Sequence, residues 1–216
     1  MTFKELQRAL QVPYFSSFDV QKIFAHESAR QIATQLQRFK QKGEIKRLKR
    51  GLYVLADVEL PEFLVSYLLY QPSYVSLESA LHAFAMIPEV PAETTAVNPT
   101  TTKQFKNHYG RFSYVKLKSA LFFGFYLVDA QPVQIQAMGQ LGWTGLSLGM
   151  YRLAYPEKAL LDYIYVRYVD NLNDLRLSGV EELNLARLNR YLSFYPKRVT
   201  RVWQQFAETA GFEWKL

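Results

Sequence analysis

The 216-residue chain contains no cysteine, which removes disulfides, thiolate metal ligands and cysteine nucleophiles together. Histidine is also scarce: His26, His82 and His108 stand far apart with no HxH or HxxxH pair, so no metal site is expected. No run approaches the roughly 18 consecutive apolar residues of a membrane helix. The opening MTFKELQRAL lacks the apolar stretch and small-residue cleavage site of a signal peptide, so a cytoplasmic protein without a membrane partner is expected. The glycines form neither GxGxxG nor GxxxxGK[ST], which leaves no phosphate cradle and no implied cofactor. Internal repeats and low-complexity segments are absent as well.

What remains is ordinary globular composition, 49% apolar and 21% charged, with a net charge of +7 that is unevenly spread. Residues 1–57 hold 11 Lys/Arg against 5 Asp/Glu, giving +6, while residues 58–216 hold 15 against 14, giving +1. Within the longer segment, residues 185–216 carry 6 basic and 2 acidic groups, so the centre is mildly acidic and both ends are basic. A charge excess confined to one quarter of a chain points to a polyanionic partner for that quarter.

The same quarter has its own pattern. Phe3, Leu6 and Leu10 mark a short amphipathic helix stopped by Pro13, and Ser17 is placed to cap a second through Phe18, Val20, Ile23 and Phe24. Ser28 is placed to cap a third, longer helix with Ala29, Ile32, Ala33, Leu36 and Phe39 on its apolar side, ended at Gly43. Two β-prone runs then flank a basic turn at Arg50-Gly51 between Ile45 and Leu55, a β-hairpin. Three helices followed by a hairpin predict a winged helix-turn-helix over residues 1–57.

Polar residues and Pro61 around 57–61 mark a boundary, and residues 58–216 are read as a separate α+β domain. Its helices are expected at Pro61–Tyr70, Ser76–Phe84, from Pro156, at Leu185–Phe194 and at Pro196–Ala210. A small sheet is expected from Tyr74–Val75, Thr94–Asn98, Arg111–Lys116, Leu121–Val128, Val133–Gln136 and Met150–Leu153. The fold class is thus α+β throughout.

On the third helix, Arg30, Gln31, Thr34 and Arg38 fall opposite the apolar stripe, with Ser28 at the helix start. Arg can pair in bidentate fashion with guanine and Gln with adenine, and the first turns of a recognition helix reach deepest into the major groove. Lys46, Arg47, Lys49 and Arg50 on the hairpin suit phosphates or the minor groove, which need charge rather than base geometry. These nine residues are the candidate contacts to a double-stranded DNA operator.

Three segments carry a family resemblance. They are Gly43-Glu44-Ile45-Lys46-Arg47-Leu48-Lys49-Arg50-Gly51-Leu52-Tyr53, Tyr74-Val75-Ser76-Leu77-Glu78-Ser79-Ala80-Leu81-His82, and Tyr151-Arg152-Leu153-Ala154-Tyr155-Pro156-Glu157-Lys158-Ala159-Leu160-Leu161-Asp162. Across roughly residues 15–167 the chain resembles the AbiEi antitoxins. That resemblance implies a transcriptional autorepressor that is also the antitoxin of a type IV toxin–antitoxin pair in phage defence. Its functional partner would be a nucleotidyltransferase toxin, which it opposes without necessarily binding it.

Read from the residues alone, the second and third segments look structural: Ser76 is placed to cap its helix, and Lys158 and Asp162, at i and i+4, to form a weak surface pair. Arg187, Arg190, Lys197, Arg198 and Arg201 read first as a solvated basic face, with an extended DNA footprint or an RNA contact as the alternative. Enzyme readings are weaker. Glu157 and Asp162 do not converge as metal-dependent hydrolysis requires, and Ser147 in Gly145-Leu146-Ser147-Leu148-Gly149 matches GxSxG without the flanking strand and helix. No catalytic residue is therefore expected. The alternatives are a standalone regulator whose larger domain senses a ligand or partner, and, behind it, a nucleic-acid-processing enzyme. The oligomeric state is left open.

Overall fold

The computed structural model describes residues 1–130 and 148–211. Among these residues the protein is mixed α+β, with eight α-helices, a three-stranded sheet and a six-stranded sheet. The chain divides into two compact units. The first takes Met1–Val65, Asn107–Tyr109 and the described ends of Asp129–Met150; the second takes the rest. Among the described residues no helix is long and apolar enough to cross a membrane, and no group of three or more metal-ligating side chains converges.

The first unit begins α1 (Phe3–Ala9), β1 (Tyr14–Ser16), α2 (Ser17–Ile23) and α3 (Ala29–Gln41), then β2 (Ile45–Lys49) and β3 (Leu52–Leu55). All three helices start with the same local device. Thr2 with Glu5, Ser16 with Asp19, and Ser28 with Gln31 each form a reciprocal capping box that satisfies orphan N–H groups at the helix start. The second cap is therefore Ser16 and not Ser17. After α3, Gly43 takes φ 73°, its N–H donates to Lys40 O at 3.1 Å and that of Glu44 to Phe39 O at 2.9 Å. This left-handed stop reverses the chain into β2.

The three-stranded sheet has order β1-β3-β2 and is antiparallel. Strand β1 lies outside the sequence expectation, because three residues between Pro13 and a helix cap carry no readable alternation. It is held by pairing to β3, with Phe15 opposite Tyr53 and their ring centroids 5.9 Å apart. The core of the unit is Leu6, Phe15, Val20, Ile32, Leu36, Phe39, Ile45, Val54 and Leu55. Ala29 and Ala33, expected on the apolar side of α3, are exposed. Ile32, Leu36 and Phe39 already fill the buried arc, and the alanines fall at its edge.

Helix α4 (Glu62–Leu69) leads into β4 (Tyr74–Val75), α5 (Leu77–Ala83), β5 (Thr94–Asn98), β6 (Lys103–Asn107), β7 (Gly110–Lys116), β8 (Phe125–Asp129) and β9 (Met150–Ala154). Then come α6 (Pro156–Val166), α7 (Leu185–Leu192) and α8 (Lys197–Thr209). The sheet order is β6-β7-β5-β4-β9-β8. Strand β4 runs antiparallel to β5 and parallel to β9, and β5 runs parallel to β7. Six strands were expected for this sheet, but β6 was not among them. Strand β6 escapes sequence reading because it is a polar edge strand, and the expected Leu121–Val128 strand is instead a 3-10 turn, Ser119–Leu121, followed by β8. The expected strand Val133–Gln136 and the candidate Ser147 lie outside the described residues.

Buried hydroxyls give the fold a pH signature. Burial raises Tyr74 and Tyr195 well above the ordinary tyrosine value, and raises Tyr109 to about 12. Unfolded tyrosines ionise near pH 10, so between about pH 10 and 12 the folded protein holds protons that the unfolded chain releases. Stability then falls as pH rises through that window. Lys158, lowered by burial, acts in the opposite sense, but only below its unfolded value of about 10.4. Urea unfolding at about pH 9 and about pH 11 checks this: the midpoint is expected to drop, and an unchanged midpoint would contradict it.

Candidate nucleic-acid interface

The residues singled out on α3 reach the surface together. Arg30, Gln31, Thr34, Gln35 and Arg38 line one shallow groove of about 290 Å³. They are not equally available. The backbone N–H and hydroxyl of Ser28 both donate to Gln31 Oε1 at 2.8 Å, and the N–H of Gln31 donates back to Ser28 Oγ at 3.3 Å. A bidentate contact to adenine needs that same carboxamide oxygen, so Gln31 can make it only by opening the cap. Thr34 Oγ1 donates to the carbonyl of Arg30 at 2.9 Å. Arg30 and Arg38 are exposed, and neither guanidinium has an ion-pair partner among the described residues.

On the hairpin, Arg47 and Arg50 are exposed and likewise have no carboxylate partner among the described residues. Lys46 pairs with Glu59 at 3.3 Å, and Lys49 has a contact of its own. The register shifts between Arg47 and Lys49 against β3, which leaves Leu48 as the extra residue. Gly51 takes φ 76° at the turn, and its carbonyl accepts the N–H of Ser17 at 2.9 Å. A later segment, Asn107–Tyr109, also belongs to this unit, unforeseen from sequence. Asn107 Nδ2 donates to Leu48 O at 3.2 Å, and the Tyr109 hydroxyl both donates to Val58 O and accepts from the Leu60 N–H. The His108 ring packs at a tilt of 48° against Tyr109 with centroids 4.3 Å apart, and burial, then the charge of Lys46, holds its pKa below the ordinary histidine value.

The second unit contains a buried polar cluster that local reading misjudges. Asp162 accepts from Tyr74 and Ser76 hydroxyls at Oδ2, both at 2.9 Å, and from Lys158 and the Tyr195 hydroxyl at Oδ1. Lys158 also donates to Tyr195 at 2.6 Å and lies over the rings of Tyr74, Phe123 and Tyr195. Lys158 and Asp162 are fully buried, so the expected surface pair is instead a core ion pair. Ser76 makes no capping bond; its hydroxyl is committed to Asp162. The next residue, buried Leu77, has φ 59°, a strained conformation for a branched side chain, and Thr95 secures the turn by bonding both backbone groups of Ser76. With every member buried, the cluster ties β4, α6 and the α7–α8 connection together.

The C-terminal cations are not one solvated face. Arg198 donates to the carbonyls of Ile164, Tyr165 and Val169, closing the end of α6. Arg187 pairs with buried Glu157 at 3.2 Å, and Arg190, Lys197 and Arg201 are exposed. The chain matches no family model, and no curated protein is significantly similar to it.

Proposed function

We propose that the protein is a non-catalytic transcriptional autorepressor that binds duplex DNA through a winged helix-turn-helix in residues 1–57. The observation that carries this reading is the set of four exposed arginines, Arg30 and Arg38 on α3 and Arg47 and Arg50 on the hairpin, without carboxylate partners among the described residues, in a segment of charge +6. A helix entering the major groove and a cationic hairpin on the flanking backbone would use such a set without first breaking internal ion pairs. Arg30 is then the principal base reader, with Ser28 and Gln31 shaping the helix start. Following the AbiEi resemblance, we further propose that the larger segment is the antitoxin half, acting in the cytoplasm against a nucleotidyltransferase toxin.

Two measurements test the two halves. Arg30→Ala should cost about 1–3 kcal/mol on the operator and much less on random duplex, which reads as relaxed base preference. Equal losses on both would remove Arg30 from base reading. For the antitoxin half, co-expression with the neighbouring toxin gene should restore growth, and failure of the abundant, folded full-length protein to do so would reject that half alone. A standalone regulator with a sensing domain is the second reading; the groove on α7 described next favours it.

A further inference from the structure

One groove in the second unit lies on α7. It is an open groove of about 520 Å³ lined by Tyr155, Ala186, Arg187, Arg190 and Tyr191. That volume lies within the usual range of small-ligand sites, about 300–1,000 Å³. Its two arginines occupy consecutive turns of one helix face, an arrangement that is repulsive unless an anion lies between or beside them. One of them is already fixed in place. Glu157 accepts Arg187 Nη1 at 3.2 Å while its other oxygen accepts the Asn184 N–H at 2.7 Å, and the Arg187 guanidinium lies 4.0 Å from the ring centroid of Tyr155. A guanidinium has five N–H donors, and the bond to Glu157 takes one. Arg190 has no carboxylate partner among the described residues and lies over Tyr191, 5.7 Å from its centroid.

We propose that this groove binds a nucleotide, its phosphate on Arg190 and the open edge of Arg187, and its base against the outer face of the Arg187 guanidinium, whose inner face lies over Tyr155 while Tyr126 packs against the same ring. The phosphate assignment follows from geometry: planar forks held at a fixed angle match phosphate oxygens in pairs, and one is pre-oriented by its carboxylate and ring. The base assignment follows from that outer face, since guanidinium planes are surfaces on which unpaired bases settle. A simple inorganic anion would use the arginine donors and leave the face idle. The ligand can be a free nucleotide or one unit of a single strand, which present the same two groups. Duplex DNA does not fit, because its bases are already stacked. This site is independent of the DNA reading for residues 1–57.

Calorimetric titration of the full-length protein with adenosine monophosphate, adenosine, inorganic phosphate and a short single-stranded oligoadenylate tests it. Saturable binding of the monophosphate or the oligomer is expected, with adenosine and phosphate each at least about tenfold weaker. Arg190→Gln should weaken nucleotide binding about tenfold, the loss of a charge-assisted contact. Arg187→Lys retains the charge beside Glu157 but loses both the plane and the paired N–H donors, so it should weaken inorganic phosphate and weaken the monophosphate more. Tighter binding of the oligomer would identify a strand as the source, and equal affinity a free nucleotide. The Arg47→Ala/Arg50→Ala variant should bind the monophosphate like the parent, which keeps this test separate from the DNA reading. No saturable binding of either nucleotide form, or binding indifferent to Arg190→Gln and Arg187→Lys in variants with parental unfolding midpoints, would overturn the proposal.

Discussion

Asp162→Leu is expected to be among the most damaging single substitutions in the larger unit, lowering stability by about 3–5 kcal/mol. That is a large share of the roughly 5–15 kcal/mol that holds a typical domain folded. The leucine would leave Tyr74, Ser76 and Tyr195 without their common acceptor and Lys158 without its counter-charge, all in the core. Lys158→Met should cost less, because the carboxylate keeps three hydroxyl donors while losing one cation. The lysine has a distinctive escape: burial already lowers its pKa, and without Asp162 it can shed its proton. In Asp162→Leu the unfolded chain then binds a proton that the folded one lacks, so stability should rise with pH toward about 10. Urea unfolding of the two variants at several pH values decides the matter. A loss under about 1 kcal/mol for Asp162→Leu, or stability independent of pH in that variant, would show that the pair contributes as little as an exposed one.

That cluster also marks where sequence reasoning stops. The start of α3 was legible because Ser28 stands where a cap belongs, and its end because a left-handed stop calls for a residue such as Gly43, whereas the start of α2 was read one residue late, at Ser17 in place of Ser16. The hairpin was legible for the same reason, with Gly51 and alternating cations side by side. Lys158 and Asp162 look like any i, i+4 surface pair, and only partners 33 to 88 residues away make them core residues. One local hint existed: Ala159, Leu160, Leu161 and Ile164 give α6 a broad apolar arc that leaves its few charges little surface of their own. Gly124 is a similar case. Read from sequence as part of a Leu121–Val128 strand, it instead has φ 73°, and a Cβ there would sit 2.9 Å from the Lys158 side chain, a crowding set by the fold alone. On the candidate interface the reverse holds. All nine residues were named from sequence, but the division between committed and open side chains required the structure, because the Lys46–Glu59 pair and the Ser28–Gln31 cap change what each can offer.

That division sets the second large expected effect. If the hairpin meets the DNA backbone, replacing Lys46, Arg47, Lys49 and Arg50 by Ala should weaken binding to every duplex alike and flatten its salt dependence. Each lost phosphate contact removes about 0.9 from the slope of log affinity against log salt, so four would remove at most about 3.6. The four should not share this equally. Arg47 and Arg50 are exposed without carboxylate partners among the described residues, so the Arg47→Ala/Arg50→Ala pair should account for about 1.8. Lys46 must first leave Glu59, and its removal frees an acidic side chain that repels phosphate, so Lys46→Ala should lower affinity while Lys46→Ala/Glu59→Gln recovers part of it. Base preference should survive in all of these variants, because it resides on α3. Fluorescence anisotropy with operator and random duplexes over a salt series reads both quantities. A slope unchanged by the Arg47/Arg50 pair would take the hairpin off the DNA, and with it the winged-helix reading of residues 1–57. An unchanged slope alongside intact operator preference would instead leave α3 as the contact and require its cations, Arg30 and Arg38, to carry the salt dependence.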